Sequence, residues 1–212
     1  MSLRTSVSAF FSPRRILVKV HRDLFKIEER VVYERGRPEP LSPFEVMVLI
    51  LEDRRFFQHH GVDIISCVRE LRWALFLSRH GGASTIDMQF VRTATGYRER
   101  TLRRKLYEMF LAWLIQYRYN KFEILRSYLK CAFFGSHIYG SDAAIEKLYK
   151  KYPWDEPNID ESAQLSAMLV YPRPLSPTAE WTRKLSRRAN YAKRLYPRLK
   201  QRFHKLPRPE ML

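Results

Sequence analysis

The strongest constraint on this chain is an apolar helix that is predicted to begin at Ser42. Ser42 is a good N-cap, Pro43 suits the first helical position, and Glu45 can return the capping hydrogen bond. Apolar residues then recur at steps of three and four, which gives the helix a face for the core. The residues on that face are Phe44, Met47, Val48 and Leu51. A helix of this kind must pack against other elements.

The same helix is predicted to end in two acids, Glu52 and Asp53, and an aromatic and histidine-rich turn follows as far as Gly61. Glu52 lies one turn beyond Val48, at the rim of the apolar stripe, where partial desolvation suits a carboxyl group for proton transfer. A solvated helix end that Gly61 closes explains the pattern as well. We treat Glu52 as a candidate general base.

Composition limits the classes of protein that fit this chain. Its 212 residues allow one domain with a real core and a short extension. Lysine and arginine number 39 against 22 acidic residues, a net charge of +17, which predicts an anionic partner such as nucleic acid, an acidic membrane surface or a phosphorylated substrate. Cys67 and Cys131 form no CxxC pair and no zinc-ligand spacing, so neither a disulfide framework nor a structural metal is predicted.

The sequence pattern divides the chain into three parts. Residues 1–40 form a basic amphipathic N-terminal arm, which suits an acidic lipid surface or packing on its own domain. Residues 41–206 form a mainly α domain, because nearly every segment has helical period, and residues 207–212 form a tail. All apolar runs are far shorter than the roughly 20 residues that cross a bilayer, so neither a transmembrane helix nor a signal peptide is predicted.

A second acid, Glu108, is predicted on the polar side of a later helix. The apolar residues of this helix predict a core-facing stripe: Leu102, Leu106, Met109, Phe110, Trp113 and Tyr117. The opposite face then holds Thr101, Arg104, Lys105 and Glu108. We therefore expect Glu108 to face away from the core, although an ordinary surface ion pair with Lys105 also explains its position.

Between the two acids, a glycine pair precedes small hydroxylic residues at a predicted helix start. Gly82 is followed by Ser84 and Thr85, and Gln89 lies one turn further on. Exposed N–H groups and hydroxyls at a helix start can hold an anion or a sugar hydroxyl. A plain N-cap explains Ser84 or Thr85 equally well.

Four motifs follow one another in a specific order along the chain. They are Glu52-Asp53-x-x-Phe56-x-x-His59-x-Gly61, Gly82-x-Ser84-Thr85-Ile86-x-x-Gln89, Arg104-Lys105-x-x-Glu108, and Lys121-x-x-Ile124-Leu125-x-x-Tyr128-Leu129. This ordered set resembles glycosyltransferase family 51, the peptidoglycan glycosyltransferases, which occur alone or fused to penicillin-binding transpeptidase domains. The likeness covers about residues 41–196.

The resemblance implies a mainly α, lysozyme-like fold with a cleft between a larger lobe and a smaller, membrane-facing lobe. It also implies an inverting peptidoglycan glycosyltransferase that polymerises lipid-linked disaccharide-pentapeptide, lipid II, into glycan strands. We expect Glu52 and Glu108 to line opposite walls of one groove.

The family's site residues carry over by position. Glu52 is implied as the general base, and Glu108 as the acid that assists at the donor side, near the diphosphate or a divalent cation, Mg or Mn. The implied substrate-binding residues are Ser84, Thr85, Gln89, Arg92, Arg100, Arg104 and Lys105, where Arg92 replaces the usual lysine. The residues implied to shape the motifs are Asp53, Phe56, His59, Gly61 and Gly82. No organic cofactor is expected.

The chain also departs from the family pattern at three positions. Asp87 and Met88 stand where the second motif usually has Thr and Gln, and Lys130 stands where the fourth motif usually has Asn. Both implied catalytic acids are kept, which favours an active enzyme. A catalytically weakened relative that only binds the precursor is an alternative.

The resemblance also implies partners and a location. The partners are the lipid-linked peptidoglycan precursor, an acidic membrane surface and other cell-wall synthesis proteins, and nucleic acid is not expected. The implied location is the periplasmic face of the bacterial cytoplasmic membrane, with peripheral attachment.

Two other functions fit part of the sequence. A lysozyme-like lytic enzyme would cleave glycan strands with a glutamate in a comparable cleft, but it has no use for the Arg104-Lys105 pair. A basic nucleic-acid-binding module would explain the net charge but not the ordered motifs.

Overall fold

The computed structural model describes residues 13–32, 40–77, 84–152 and 155–204. In these ranges the chain is mainly helical, which confirms the predicted fold class. The helices are α1 (Pro13–Glu28), α2 (Pro43–Glu52), α3 (Ile64–Leu77), α4 (Ile86–Thr95), α5 (Leu102–Ile115), α6 (Lys121–Cys131), α7 (Ser141–Tyr149), α8 (Ile159–Met168) and α9 (Ala179–His204). A 3-10 turn spans Phe56–Gln58, and the strands β1 (Phe133–Gly135) and β2 (Ile138–Tyr139) pair antiparallel.

Helix α2 lies at the centre of the core. Its N-terminus has the predicted capping box: the Glu45 amide donates to the Ser42 hydroxyl, and the Ser42 amide donates to the Glu45 carboxylate. The residues from Phe44 to Ile50 are all buried, so α2 is covered on every side. Helices α8 and α9 cover part of it, while α4 packs against α5 and α6. This arrangement holds the end of α2, where Glu52 lies, in a fixed position.

Helix α1, in the N-terminal arm, packs against α4 and α5. Its contact face includes Asp23 and Ile27, which are fully buried. Its other faces expose Leu17, Val18 and Phe25 to solvent, and Ile16, on the same side as Asp23 but two turns earlier, is 46% exposed. The arm therefore contacts the domain on one side and leaves apolar side chains exposed on the others.

The predicted orientation of α5 was wrong. Glu108 is only 2% exposed and shares the buried face with Leu111, Ala112 and Ile115. Most of the stripe that was predicted to face the core is exposed instead: Leu102, Leu106, Phe110, Trp113 and Tyr117. The reason is that the turn at Gly61 and the backbone of α5 approach each other closely. Gly61 lies directly against the Ala112 carbonyl, and the larger side chains of the predicted stripe would not fit at this contact.

None of the helices in the described ranges is long and apolar enough to cross a membrane.

Gly61→Ala should destabilise the fold far more than Gly96→Ala. Both glycines have positive φ, +76° and +74°, so both substitutions carry a backbone cost of about 1–2 kcal/mol. A Cβ at Gly61 would also lie 2.2 Å from the Ala112 carbonyl oxygen, whereas nothing lies within 4 Å of one at Gly96. We expect overpacking to cost Gly61→Ala roughly 1–3 kcal/mol more, as measured by denaturant unfolding. Equal losses in the two variants would contradict this packing.

Candidate active site

Glu52 is the last residue of α2, and it lines a cavity of about 410 Å³. Its side chain is 10% exposed, so the carboxylate is largely desolvated yet open to the cavity. The cavity wall also carries three arginines and two hydroxyl groups: Arg54, Arg55, Arg69, Ser84 and Thr85. The site therefore combines a carboxylate, cations and hydroxyl donors around a space of ligand size.

Both oxygens of the Glu52 carboxylate have fixed partners. Arg188 Nη2, on α9, donates to Glu52 Oε1 at 2.7 Å and to the Leu51 carbonyl at 3.2 Å. Gln89 Nε2, on α4, donates to Glu52 Oε2 at 3.3 Å, and the Tyr128 hydroxyl donates to Gln89 Oε1 at 2.6 Å. Burial and the charge of Glu52 both raise the pKa of Tyr128, which keeps its hydroxyl a donor. Arg188 and Tyr128 had no predicted role in the site.

Asp53 joins three parts of the site. Its backbone N–H closes α2 on the Leu49 carbonyl. Its Oδ2 accepts a hydrogen bond from the Ile86 amide, at the start of α4, at 3.2 Å. The same oxygen lies 3.0 Å from Nε2 of the buried His59, whose ring contacts the edge of Phe56. The first and second motifs are thus joined through a single carboxylate.

The second motif contains the N-cap of α4. Thr85 caps α4, because its hydroxyl accepts from the Met88 amide at 3.2 Å and donates to the Gly61 carbonyl at 2.6 Å. Thr85 therefore has a structural use, whereas Ser84 is half-buried and lines the cavity. Gly82 lies outside the described residues.

The departures from the family pattern are accommodated in different ways. Asp87 is fully buried, and both of its oxygens accept from Lys121 Nζ at 3.0 Å. Burial raises the pKa of Asp87 and lowers the pKa of Lys121, so each charge depends on the other. Met88 is buried in the core, and Lys130 pairs with Asp142 at the surface.

Glu108 lies among cations. Arg104, one turn earlier on α5, donates to its carboxylate through Nη1. Burial raises the pKa of Glu108, while the charges of Arg104, Arg92 and Lys105 oppose that shift. Lys105 is also 3.6 Å from the Glu70 carboxylate, and Arg100 is exposed in the segment before α5. The structure thus gathers Arg92, Arg104 and Lys105 around Glu108 but leaves this acid covered.

Helix α4 connects the two glutamates. Gln89 and Arg92 are one turn apart and share a face of this helix. Gln89 contacts Glu52, whereas the charge of Arg92 acts on Glu108. The two acids therefore lie near one face of α4, although only Glu52 lines the cavity beside it.

The residues around Glu108 do not fit a divalent cation by themselves. Its carboxylate is already bound by Arg104, and its other charged neighbours are cations. Among the described residues, the one cluster with three potential ligands close together is Asp53, His59 and Asp87. There the ammonium of Lys121 holds both Asp87 oxygens, so this cluster is already balanced in charge. We derive no catalytic step through a metal.

Comparison with known proteins identifies the family of this chain. The sequence profile of the transglycosylase family matches residues 38–196, which include every site residue described above. The chain belongs to this family, glycosyltransferase family 51, whose members are glycosyltransferases of peptidoglycan biosynthesis.

Several curated proteins are similar to the chain. Penicillin-binding protein 1A of Escherichia coli is 37% identical over 160 residues, 74% of this chain and 18% of that protein. Penicillin-binding protein 1A of Aquifex aeolicus is 36% identical over 148 residues, 68% of this chain and 20% of that protein. A putative transglycosylase of Cupriavidus necator is 34% identical over 149 residues, 70% of this chain and 64% of that protein. The chain thus spans about a fifth of the length of the two penicillin-binding proteins.

Lys121→Met should destabilise the protein strongly, because it leaves the Asp87 carboxylate buried without its cation. Removing one partner of a buried ion pair costs about 3–5 kcal/mol. The matched control is Lys130→Met on the same helix, whose pair with Asp142 is exposed and contributes less than about 1 kcal/mol. Thermal and denaturant unfolding measure both changes. A Lys121→Met protein as stable as Lys130→Met would show that Asp87 is not held as a charge.

Proposed function

We propose that this chain is a peptidoglycan glycosyltransferase that polymerises lipid II into glycan strands with inversion at the anomeric carbon. The observation that carries this proposal is the Glu52 carboxylate, which is fixed by Arg188 and Gln89 at the wall of a cavity lined with cations. Membership of the transglycosylase family supports the reaction class.

Glu52 is suited to act as the general base. Its carboxylate is held by the ion pair with Arg188, and a positioned carboxylate can accept a proton. In the proposed step, Glu52 takes the proton of the acceptor's 4-hydroxyl while the hydroxyl oxygen forms a bond to the donor's anomeric carbon. The bond from that carbon to the lipid diphosphate breaks on the opposite side, and the diphosphate leaves with the electron pair.

The cations near Glu108 are suited to the donor side. A diphosphate leaving group gains negative charge as its bond breaks, so fixed cations stabilise the transition state more than the ground state. Arg92, Arg104 and Lys105 supply such charges. Because Glu108 is covered and bonded to Arg104, we assign it the role of holding this guanidinium in place.

Glu52→Gln should reduce polymerisation of lipid II to background while substrate binding is retained. The amide keeps the size of the side chain but cannot accept the proton. The measurement is strand formation from purified lipid II, with and without the phosphoglycolipid inhibitor of the family, together with direct binding of lipid II.

The matched control is Glu180→Gln, since Glu180 is an exposed glutamate on α9 with no contact to the site. It should leave the rate unchanged. Turnover by Glu52→Gln would refute the base assignment. Release of new reducing ends from finished glycan, without use of lipid II, would favour the lytic alternative.

We also propose that the protein attaches peripherally to the acidic face of a membrane. The exposed apolar residues of α5 form one surface: Leu102, Leu106, Phe110, Trp113 and Tyr117. Helix α1 adds exposed apolar residues next to Arg14, Arg15 and Lys19. Apolar side chains beside cations suit the boundary between anionic headgroups and acyl chains.

The chain should bind vesicles of phosphatidylglycerol and phosphatidylcholine but not vesicles of phosphatidylcholine alone, and added salt should weaken binding. The double variant Leu102→Ser/Tyr117→Ser should bind roughly tenfold more weakly, because each exposed side chain contributes apolar area to the contact. Co-sedimentation measures these affinities. Tight, salt-independent binding to neutral vesicles, or no effect of the double variant, would contradict the proposal.

A further inference from the structure

Helix α9 contacts the rim of the cavity that Glu52 lines, and it does so at two points one turn apart. Arg188 bonds to Glu52, and the Tyr191 hydroxyl accepts a hydrogen bond from Arg54 Nη2 at 2.6 Å. Glu52 and Arg54 both line the cavity, and Tyr191 is 39% exposed. A ligand that projects from the cavity past Arg54 would therefore meet the exposed side of α9.

Two guanidinium groups lie close to the Tyr191 ring. The Cζ atoms of Arg54 and Arg194 are 5.6 Å and 5.7 Å from its centroid, within the range of a cation–π contact. Arg54 is also held by its Nε, which donates to the Ile50 carbonyl at 2.9 Å. Within the described ranges, neither guanidinium has an acidic partner. The rim of the cavity thus carries two positive charges that the described acids do not neutralise.

Arg194 belongs to a row of four arginines on the solvent face of α9. Their spacing of four, seven and four residues places them within about 60° of one another around the helix axis. All four are exposed: Arg183, Arg187, Arg194 and Arg198. The buried residues Leu185, Ala189 and Ala192 lie on the opposite face.

The arginine row is not balanced by acids of its own helix. Helix α9 contains nine lysine and arginine residues but one acid, Glu180, which pairs with Lys184. Within the described part of the chain, the four arginines of the row form no salt bridge. Like charges four residues apart destabilise a helix. An anion bound along the row would remove this repulsion.

The surface chemistry of α9 favours a solvated carboxylate over a lipid. Of the large hydrophobic side chains between Ala179 and His204, Tyr191 is the exposed one, so the row has no apolar surface for an acyl chain. Guanidinium groups bind carboxylates through two parallel hydrogen bonds, which ammonium groups do not provide. Four exposed arginines therefore suit a flexible chain that carries carboxylates.

We propose that Arg54, Arg187 and Arg194 form a subsite that binds the peptide of the acceptor lipid II through its carboxylates. The assignment rests on the proposed function, in which the acceptor's sugar lies at Glu52. Arg187 and Arg194 are seven residues apart, about 10 Å along the helix axis. An extended pentapeptide spans at most about 18 Å, so one peptide that leaves the cavity beside Arg54 can reach both arginines.

The test compares lipid II with lipid II whose peptide carboxylates have been converted to amides. The double variant Arg187→Gln/Arg194→Gln should raise the KM for lipid II about fivefold and leave kcat unchanged, because binding of the peptide is the same in the ground state and the transition state. Amidation should raise the KM of the wild type by about the same factor. The double variant should lose nothing further with the amidated substrate, as expected when both changes remove one interaction.

The matched control is Lys200→Gln/Arg202→Gln, which removes two positive charges from exposed positions further along the same helix. It should leave the KM unchanged, and thermal unfolding will check that both double variants are folded. The proposal is overturned if the control raises the KM as much as Arg187→Gln/Arg194→Gln, or if the latter loses equally with both forms of lipid II.

A binding measurement separates this proposal from the proposed function. The probe is the soluble disaccharide-pentapeptide of lipid II, labelled with a fluorophore and lacking the lipid diphosphate, and its binding to the full chain is followed by anisotropy. The wild type and Glu52→Gln should bind it equally, about fivefold more tightly than Arg187→Gln/Arg194→Gln. This difference supports the subsite even if the chain does not polymerise lipid II, and its absence overturns the subsite even if the chain does.

The same measurements distinguish the peptide from an acidic partner protein. A glutamate-rich peptide serves as the second probe. The proposal is overturned, and the arginine row is assigned to a partner protein, if this peptide binds more tightly than the disaccharide-pentapeptide while amidation of lipid II leaves the KM unchanged.

Discussion

The carboxylate of Asp53 is the interaction on which the rest of the site depends. A helix end leaves backbone groups without hydrogen-bond partners. Asp53 supplies such partners at two helix ends. Its own amide donates to the Leu49 carbonyl at the end of α2, and its side chain accepts from the Ile86 amide at the start of α4. His59 contacts the same oxygen. With these two helix ends held together, Gln89 on α4 reaches Glu52 on α2. The geometry of the proposed base therefore follows from a backbone requirement.

Three acids of the site share one arrangement. Glu52, Asp87 and Glu108 are each desolvated, and each pairs with a cation: Arg188, Lys121 and Arg104, respectively. Charges removed from water in this way need such partners, since an isolated buried carboxylate would take up a proton. Two of these cations come from helices remote in sequence, α6 and α9, so the pairs also tie the site to the packing of the domain. The ion pairs that position the acids of the site therefore also hold the helices of the domain together.

Much of the site could be read from local sequence, and the rest could not for identifiable reasons. The capping box, the end of α2 and the family could be predicted because they depend on short spacings between residues. The orientation of α5 was not, because this helix is apolar on two faces and the choice between them is made by contact between Gly61 and Ala112. The contact of Arg188 with Glu52 spans 136 residues, and no local pattern encodes such a pairing.

The long separation between Glu52 and Arg188 has a consequence for how the site is assembled. Translation proceeds from the N-terminus, and elements that emerge early can begin to fold before the later ones exist. Helix α2 emerges early, whereas α9, which carries the guanidinium that fixes Glu52, is the last helix in the described part of the chain. A nascent chain would thus hold Glu52 without the counter-ion of its carboxylate, and the site would be complete only after the ribosome has released nearly the whole domain.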